Sequence, residues 1–204
     1  MTKIKICGLT RDEDVDYVNI LRPDYAGFVF TSRSRRYVSP ERAAALRASL
    51  RLDIPSVGVF VDSPLDTVVT LVERQTINFV QLHGGEDNVY LDTLRSYVDV
   101  PLIQAFSVTS SDDLKRAEDS LADFVLLDHG VGGTGKTFNW TVIQSFSRPF
   151  FLVGGLNADN ITQAIELLNP FAVDVSSGVE SGGIKDFDKI REIVFRVRNH
   201  KRLI

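Results

Sequence analysis

Residues 121–140 read LADFVLLDHGVGGTGKTFNW, and the fold turns on how this stretch is read. Gly130 to Thr137 fit G-x-x-x-x-G-K-[ST], the pattern of a P-loop whose backbone amides cradle phosphates. The apolar run before it ends in a carboxylate, Asp128. A nucleotide loop needs a substantial helix behind it, whose N-terminus receives the phosphates. The segment that follows, Phe138–Phe146, is short and carries Asn139 and Trp140 early. Asp174, in FAVDVSS, would have to serve as the magnesium-side carboxylate. In the competing reading, FVLL is a strand of a barrel, Asp128 sits at its end, and the glycines form a mobile lid. The rest of the chain chooses between the two.

Working outward, the same unit recurs. A short apolar, β-branched run ends in polar or glycine residues, and a helical pattern follows. The expected strands are 3–7, 25–30, 56–61, 78–82, 102–105, 124–127, 150–153 and 172–175. Runs such as VGVFV and FVLL are apolar without alternation, as parallel strands covered on both faces are. Helices are expected between them: Arg11–Leu21 capped by Thr10, one opened by Ser39-Pro40-Glu41, one opened by Ser63-Pro64, then Asp159–Leu168 and Phe187–Arg198. Ser, Thr and a first-turn proline are start signals. The helix after Asn139 reads as short. Eight such units, with no linker or composition shift, predict an α/β chain folded as a single-domain (β/α)8 TIM barrel over residues 1–204 rather than an open doubly wound sheet.

Composition agrees. The chain has 204 residues, 44% hydrophobic and 25% charged, with net charge −4. That acidity argues against a sequence-independent grip on nucleic acid. No apolar run approaches the roughly 20 residues that cross a bilayer, and residues 1–6 lack a signal-peptide core. One cysteine, Cys7, rules out an internal disulfide and suits a reducing cytoplasm. The three histidines lack metal-ligand spacing.

A barrel places its active site at the C-terminal ends of its strands. Gly154-Gly155 follows the seventh strand and Ser176-Ser177-Gly178 the eighth. Glycine lets backbone amides approach an anion, and loops after strands 7 and 8 are where such barrels hold phosphate. Asp128 is a candidate general acid, or else a capping or ion-paired carboxylate. Cys7, at the end of the first strand, is a candidate thiolate base, or else a small buried hydrophobe. Together they face a common mouth. Arg33, Arg35 and Arg36 crowd the loop after strand 2, where a guanidinium can fork onto a carboxylate. Gln81 and His83 close strand 4, with His83 in either a supporting or a ligand-facing role.

Seven ordered motifs carry a resemblance. They are KICGLT at 5–10, GFVF with SRRYVSPE at 27–41, VGVFVD at 57–62, VQLHGGE at 80–86, LLDHGVGGTGKTFNW at 126–140, VGGLNADNI at 153–161 and VDVSSGVESGGIKD at 173–186. Over nearly its whole length the chain resembles phosphoribosylanthranilate isomerases of tryptophan biosynthesis. The resemblance implies an Amadori rearrangement of N-(5-phosphoribosyl)anthranilate to the 1-deoxyribulose 5-phosphate, with no metal or organic cofactor. It implies Asp128 as the acid toward the ring oxygen and Cys7 as the base toward C2′. It further implies Arg36 on the anthranilate carboxylate and Gly154, Gly155, Ser177 and Gly178 on the phosphate; Gln81 and His83 are further candidate substrate-binding residues. The expected partner is a small phosphorylated substrate, with no nucleic acid or membrane, in a monomer or homodimer. Three positions depart from the usual pattern: Arg35 and Gly182 stand where proline is common, and His129 where a small residue is. The alternatives are a related sugar-phosphate isomerase of the histidine-biosynthesis or dual-substrate type, whose base is an aspartate where this chain has Cys7, and a non-catalytic phosphometabolite-binding barrel.

Overall fold

A computed structural model of the chain describes residues 1–128 and 140–200. The glycine-rich segment Gly130–Thr137, and with it the lid reading, lies outside the described residues, as do His129 and Asn139.

Eight strands close into one barrel in chain order. They are β1 (Lys3–Cys7), β2 (Tyr25–Val29), β3 (Ser56–Phe60), β4 (Phe79–Leu82), β5 (Leu102–Ser107), β6 (Phe124–Asp128), β7 (Phe150–Leu152) and β8 (Ala172–Val175). All neighbouring pairs are parallel, and Lys3 to Ile6 beside Ala172 to Val175 close the ring. Asp128 is the last residue of β6 itself, opposite Ser107. The helices are α1 (Asp12–Leu21), α2 (Pro40–Ser49), α3 (Leu65–Glu73), α4 (Asn88–Arg95), α5 (Ser111–Glu118), α6 (Ile161–Leu168) and α7 (Phe187–Asn199). Between β6 and β7 the described residues form only a 3-10 turn, Trp140–Val142. Among them there is no long helix to receive nucleotide phosphates. No described helix is long and apolar enough to cross a membrane.

Helix α6 begins at Ile161 rather than Asp159, and two helix caps differ from expectation. Thr10 does not cap α1: Arg11 occupies the cap position, and Asp14 reaches back to accept from the Thr10 and Arg11 amides at 2.9 and 3.0 Å. Asp14, buried inside the first turn, supplies the acceptor for both of those amides. Before α3, Pro64 rather than Ser63 is the cap residue and makes no side-chain cap bond. Ser39 caps α2 as expected, accepting from the Arg42 amide at 3.2 Å. A hairpin not foreseen, β9 (Glu180–Ser181) with β10 (Ile184–Lys185), follows β8. Its turn is Gly182-Gly183, both at positive φ (59° and 87°), as a two-residue hairpin with two left-handed positions demands.

Packing sorts the strand residues by parity. Ile4 and Ile6 join the outer cluster with Val15 and Val18 of α1 and Ile190, Ile193, Val194 and Val197 of α7. Their spacing gives α7 one apolar stripe. The other parity points into the barrel. Its floor is aromatic: the Phe151 ring lies 5.7, 5.8 and 5.6 Å from those of Tyr25, Phe124 and Phe171, and Tyr25 meets Phe79 at 5.3 Å. These rings fill the interior near the strand starts, leaving the functional groups to the opposite end. Phe151→Ala should cost about 3–5 kcal/mol, because three ring partners cannot collapse into the void. Urea unfolding should show a lower midpoint with the slope unchanged.

Candidate active site

Above the aromatic floor the interior is polar. Lys5 of β1 is 0% exposed, and an ammonium sealed there must be paired and hydrogen-bonded. Its Nζ donates to Asp174 Oδ2 of β8 at 2.8 Å and to Gln81 Oε1 of β4 at 2.5 Å. Burial alone would pull the Lys5 pKa down, but Asp174, aided by Cys7, outweighs it and the net direction is up. Asp174 Oδ1 is buried without a hydrogen-bond partner among the described residues. Gln81 is also buried, with its Nε2 3.1 Å from His83 Nδ1, so both ends of its amide meet internal partners.

Two residues above Lys5, Cys7 ends β1. It is 8% exposed and clusters with Val29 and Val59, the inward residues closing β2 and β3. A Cβ at position 27 would stand 2.7 Å from its Sγ, so Gly27 is what leaves the thiol its space. Burial pushes the thiol up from its ordinary 9.0, Lys5 and Lys185 pull it down, Asp174 pushes it up, and the net direction is up. Asp128 ends β6 at the same mouth, with His83 Nε2 3.6 Å from its Oδ2 and both side chains about one-third exposed. The structure thus brings Cys7, His83 and Asp128 to one end of the barrel.

Arg36 reaches that mouth with a carboxylate already on it. Its Nε and Nη2 fork onto Glu180 Oε1 and Oε2 at 2.6 and 2.9 Å. Arg35 Nη2 and Lys185 Nζ add bonds to Glu180 at 2.6 and 2.8 Å. Burial would raise the Glu180 carboxyl, yet Arg36 and Lys185 win and hold it at about 2. Lys185 is pulled down by burial, which its Glu180 bond only partly offsets. The Arg36 stem lies across Gly8, where a Cβ would stand 2.3 Å from Arg36 Cδ and where φ is +82°. The hairpin therefore packs one edge of the key guanidinium through Glu180.

The loops after β7 and β8 are adjacent, as expected. Gly154 and Gly155 both have positive φ, 108° and 60°, and nothing lies within 4 Å of a Cβ placed on Gly155. Asn160 braces this loop, accepting from the Asn157 amide at 2.9 Å and donating to Gly155 O at 3.1 Å. A Cβ on Gly178 would meet Leu156 O at 1.9 Å, so only glycine lets the eighth loop lie on the seventh. Ser177 opens a one-turn 3-10 helix, Ser177–Val179, and Ser176 Oγ ties the loop to Cys7 O at 3.0 Å.

The site residues missed from sequence are Lys5, Glu180 and Lys185, with Asp174 weighed only as a nucleotide-site carboxylate. Lys5 and Asp174 had a signal: each is a charge at the inward parity of an apolar strand, KIKIC and AVDV. Glu180 had none, since its partner Arg36 lies 144 residues away.

A family model for N-(5′-phosphoribosyl)anthranilate isomerase matches residues 4–196. The chain belongs to that family. A relative from Endomicrobium trichonymphae, named N-(5′-phosphoribosyl)anthranilate isomerase, is 48% identical over 203 residues, covering 98% of this chain and 100% of its own. Monomers generated from the dimeric phosphoribosylanthranilate isomerase of Thermotoga maritima superpose with a TM-score of 0.85 at 36% identity, covering 97% of this chain and 99% of that one. A phosphoribosylanthranilate isomerase in complex with reduced 1-(o-carboxyphenylamino)-1-deoxyribulose 5-phosphate gives 0.85 at 35% identity with the same coverage.

The Glu180 cluster carries an acid-stability signature. Its folded pKa of about 2 lies below the ordinary 4.5, so its contribution is complete above the ordinary value and is lost as pH falls toward 2. Glu180→Gln should be less stable at neutral pH and should show a shallower stability loss between those two values, read by urea unfolding at stepped pH.

Proposed function

We propose that the protein catalyses the Amadori rearrangement of N-(5-phosphoribosyl)anthranilate to 1-(2-carboxyphenylamino)-1-deoxyribulose 5-phosphate. The observation that carries this is the meeting of Asp128, Cys7 and two glycine loops at one barrel mouth, in a chain whose family model spans residues 4–196. Asp128 protonates the furanose ring oxygen, the C1′–O bond breaks, and a cationic Schiff base forms. That cation makes the C2′–H acidic, and the Cys7 thiolate takes the proton. The enolamine then gains a proton at C1′ and loses one from its C2′ hydroxyl, leaving the ketone. Burial holds the Cys7 thiol up in the free protein, and a cation arriving beside it favours the thiolate.

Binding follows from the same geometry. Gly154, Gly155, Ser177 and Gly178 offer backbone amides to the phosphate. Arg36, with its Nε edge committed to Glu180, turns its Nη edge to the anthranilate carboxylate. Assembly as a monomer or homodimer belongs to the same proposal, and the dimeric Thermotoga maritima relative supports the latter. So does a cytoplasmic setting, supported by a biosynthetic family and a free, buried cysteine, which suits reducing conditions.

The test is loss of the fluorescent anthranilate substrate under steady-state conditions. Cys7→Ala and Asp128→Asn should each lower kcat by about 100-fold or more, with small effects on KM, and Arg36→Ala should chiefly raise KM. Near-normal turnover by Asp128→Asn would remove the acid assignment. Turnover of only the histidine-pathway precursor would replace the substrate assignment. In the free protein, iodoacetamide should alkylate Cys7 more slowly at neutral pH than it does free cysteine, and faster as pH rises through and beyond 9.0, the direction of its shift.

A further inference from the structure

A line of polar contacts crosses the barrel interior from β8 to β6. Asp174 Oδ2 accepts from Lys5 Nζ at 2.8 Å, and Lys5 Nζ donates to Gln81 Oε1 at 2.5 Å. Gln81 Nε2 lies 3.1 Å from His83 Nδ1, and His83 Nε2 lies 3.6 Å from Asp128 Oδ2. Each link dictates the next. An ammonium has only donors, so the amide atom facing Lys5 has to be the oxygen. The amide NH2 then faces His83 and can only donate, so Nδ1 has to present its lone pair. A neutral imidazole with a bare Nδ1 carries its proton on Nε2, the nitrogen turned toward Asp128. The opposite neutral tautomer is disfavoured, because it sets N–H against N–H between Gln81 and His83.

We propose that Lys5 and Gln81 set the tautomer of His83, and that His83 is the positioning residue of Asp128, offering it a hydrogen-bond donor and denying it an acceptor. This rests on the isomerase reading, in which Asp128 delivers a proton. With a lone pair at Nε2, His83 would draw that proton to itself and leave a carboxylate–imidazolium pair with nothing to give the ring oxygen. With N–H there, the proton goes to substrate, and the carboxylate left behind gains a charge-assisted bond. The 3.6 Å separation is longer than a hydrogen bond and shortens as charge develops on Asp128, because such contacts often tighten only in the reacting complex. One buried ammonium then serves both halves of the site, sitting two residues below the thiol on β1 and orienting the acid across the interior.

Two-bond proton–nitrogen spectra of protein carrying 15N-histidine, with His83 assigned by its loss in His83→Gln, read the tautomer directly. At neutral pH the wild-type protein should show a pyridine-type Nδ1 and a pyrrole-type Nε2 at His83. In Gln81→Glu the amide donor is gone and a carboxylate faces Nδ1, so the ring's single proton should move from Nε2 to Nδ1, leaving Nε2 with a lone pair toward Asp128. There kcat should fall about 10- to 100-fold, the worth of one hydrogen bond to a charged group, while KM stays within a few-fold. The introduced carboxylate would still pair with Lys5, which keeps the fold, and thermal melting checks it. His83→Leu should lose kcat to the same extent, and His83→Gln, whose amide N–H can stand in for Nε2–H, should recover most of it. A pyridine-type Nε2 or a doubly protonated ring in the wild-type protein overturns the proposal even if Gln81→Glu fails to fold. So does undiminished kcat in a folded Gln81→Glu. The two readings fail separately: absent turnover with the expected tautomer sinks the isomerase reading and the positioning role of His83 with it, whereas normal turnover with the wrong tautomer sinks this inference alone.

Discussion

An ammonium inside a closed barrel keeps its charge only with a carboxylate in hydrogen-bond reach, and Lys5 has Asp174 at 2.8 Å. That requirement ties β1 to β8, the two strands whose pairing closes the ring. It also recruits Gln81 from β4, so three strands are linked through the interior by one cation. Such a pair is weak grounds for stability, since desolvation offsets much of its Coulomb energy. Its value lies in what it specifies above it. The cation stands beneath the thiol and orients an amide toward the imidazole that faces Asp128.

The mouth is assembled by close approaches that leave no space for a side chain. Gly27 gives the Cys7 sulfur its space, Gly8 lets the Arg36 stem cross the end of β1, and Gly178 lets the eighth loop lie on the carbonyl of Leu156. Each lets its neighbours pack closer than any larger residue would allow. The hairpin of β9 and β10 complements them. It carries Glu180 into a nest of three cations, where the carboxylate stays ionised and one edge of Arg36 is held still. A guanidinium held this way has little rotamer freedom left to lose.

Much of the architecture was legible in the chain. Eight apolar runs in a βα rhythm predicted the closed barrel, and their place at the strand ends put Cys7, His83 and Asp128 at its mouth. The Gly154-Gly155 pair after β7, both at positive φ, and Gly178 after β8 were recognisable because glycines at strand ends are where a barrel lets backbone amides approach an anion. Errors gathered where a distant or competing group overrode a local preference. Asp14 took the Thr10 and Arg11 amides at the start of α1. The Gly182-Gly183 hairpin turn is by contrast a local feature, with both glycines at positive φ. The P-loop match at Gly130–Thr137 was set aside by its surroundings, since the same letters can precede unlike structures.

By itself, then, the sequence determined the strand rhythm, the barrel class, the placing of Asp128 and Cys7 at strand ends, and the family signature, because these depend on periodicity and on residue types within a few positions. Only the tertiary structure decided which groups meet. It paired Lys5 with Asp174 across 169 residues and Arg36 with Glu180 across 144, and set His83 between Gln81 and Asp128. The reason is physical: a charge's partner, a thiol's burial and an imidazole's tautomer depend on distances through a dry interior, and those exist only once the ring has closed.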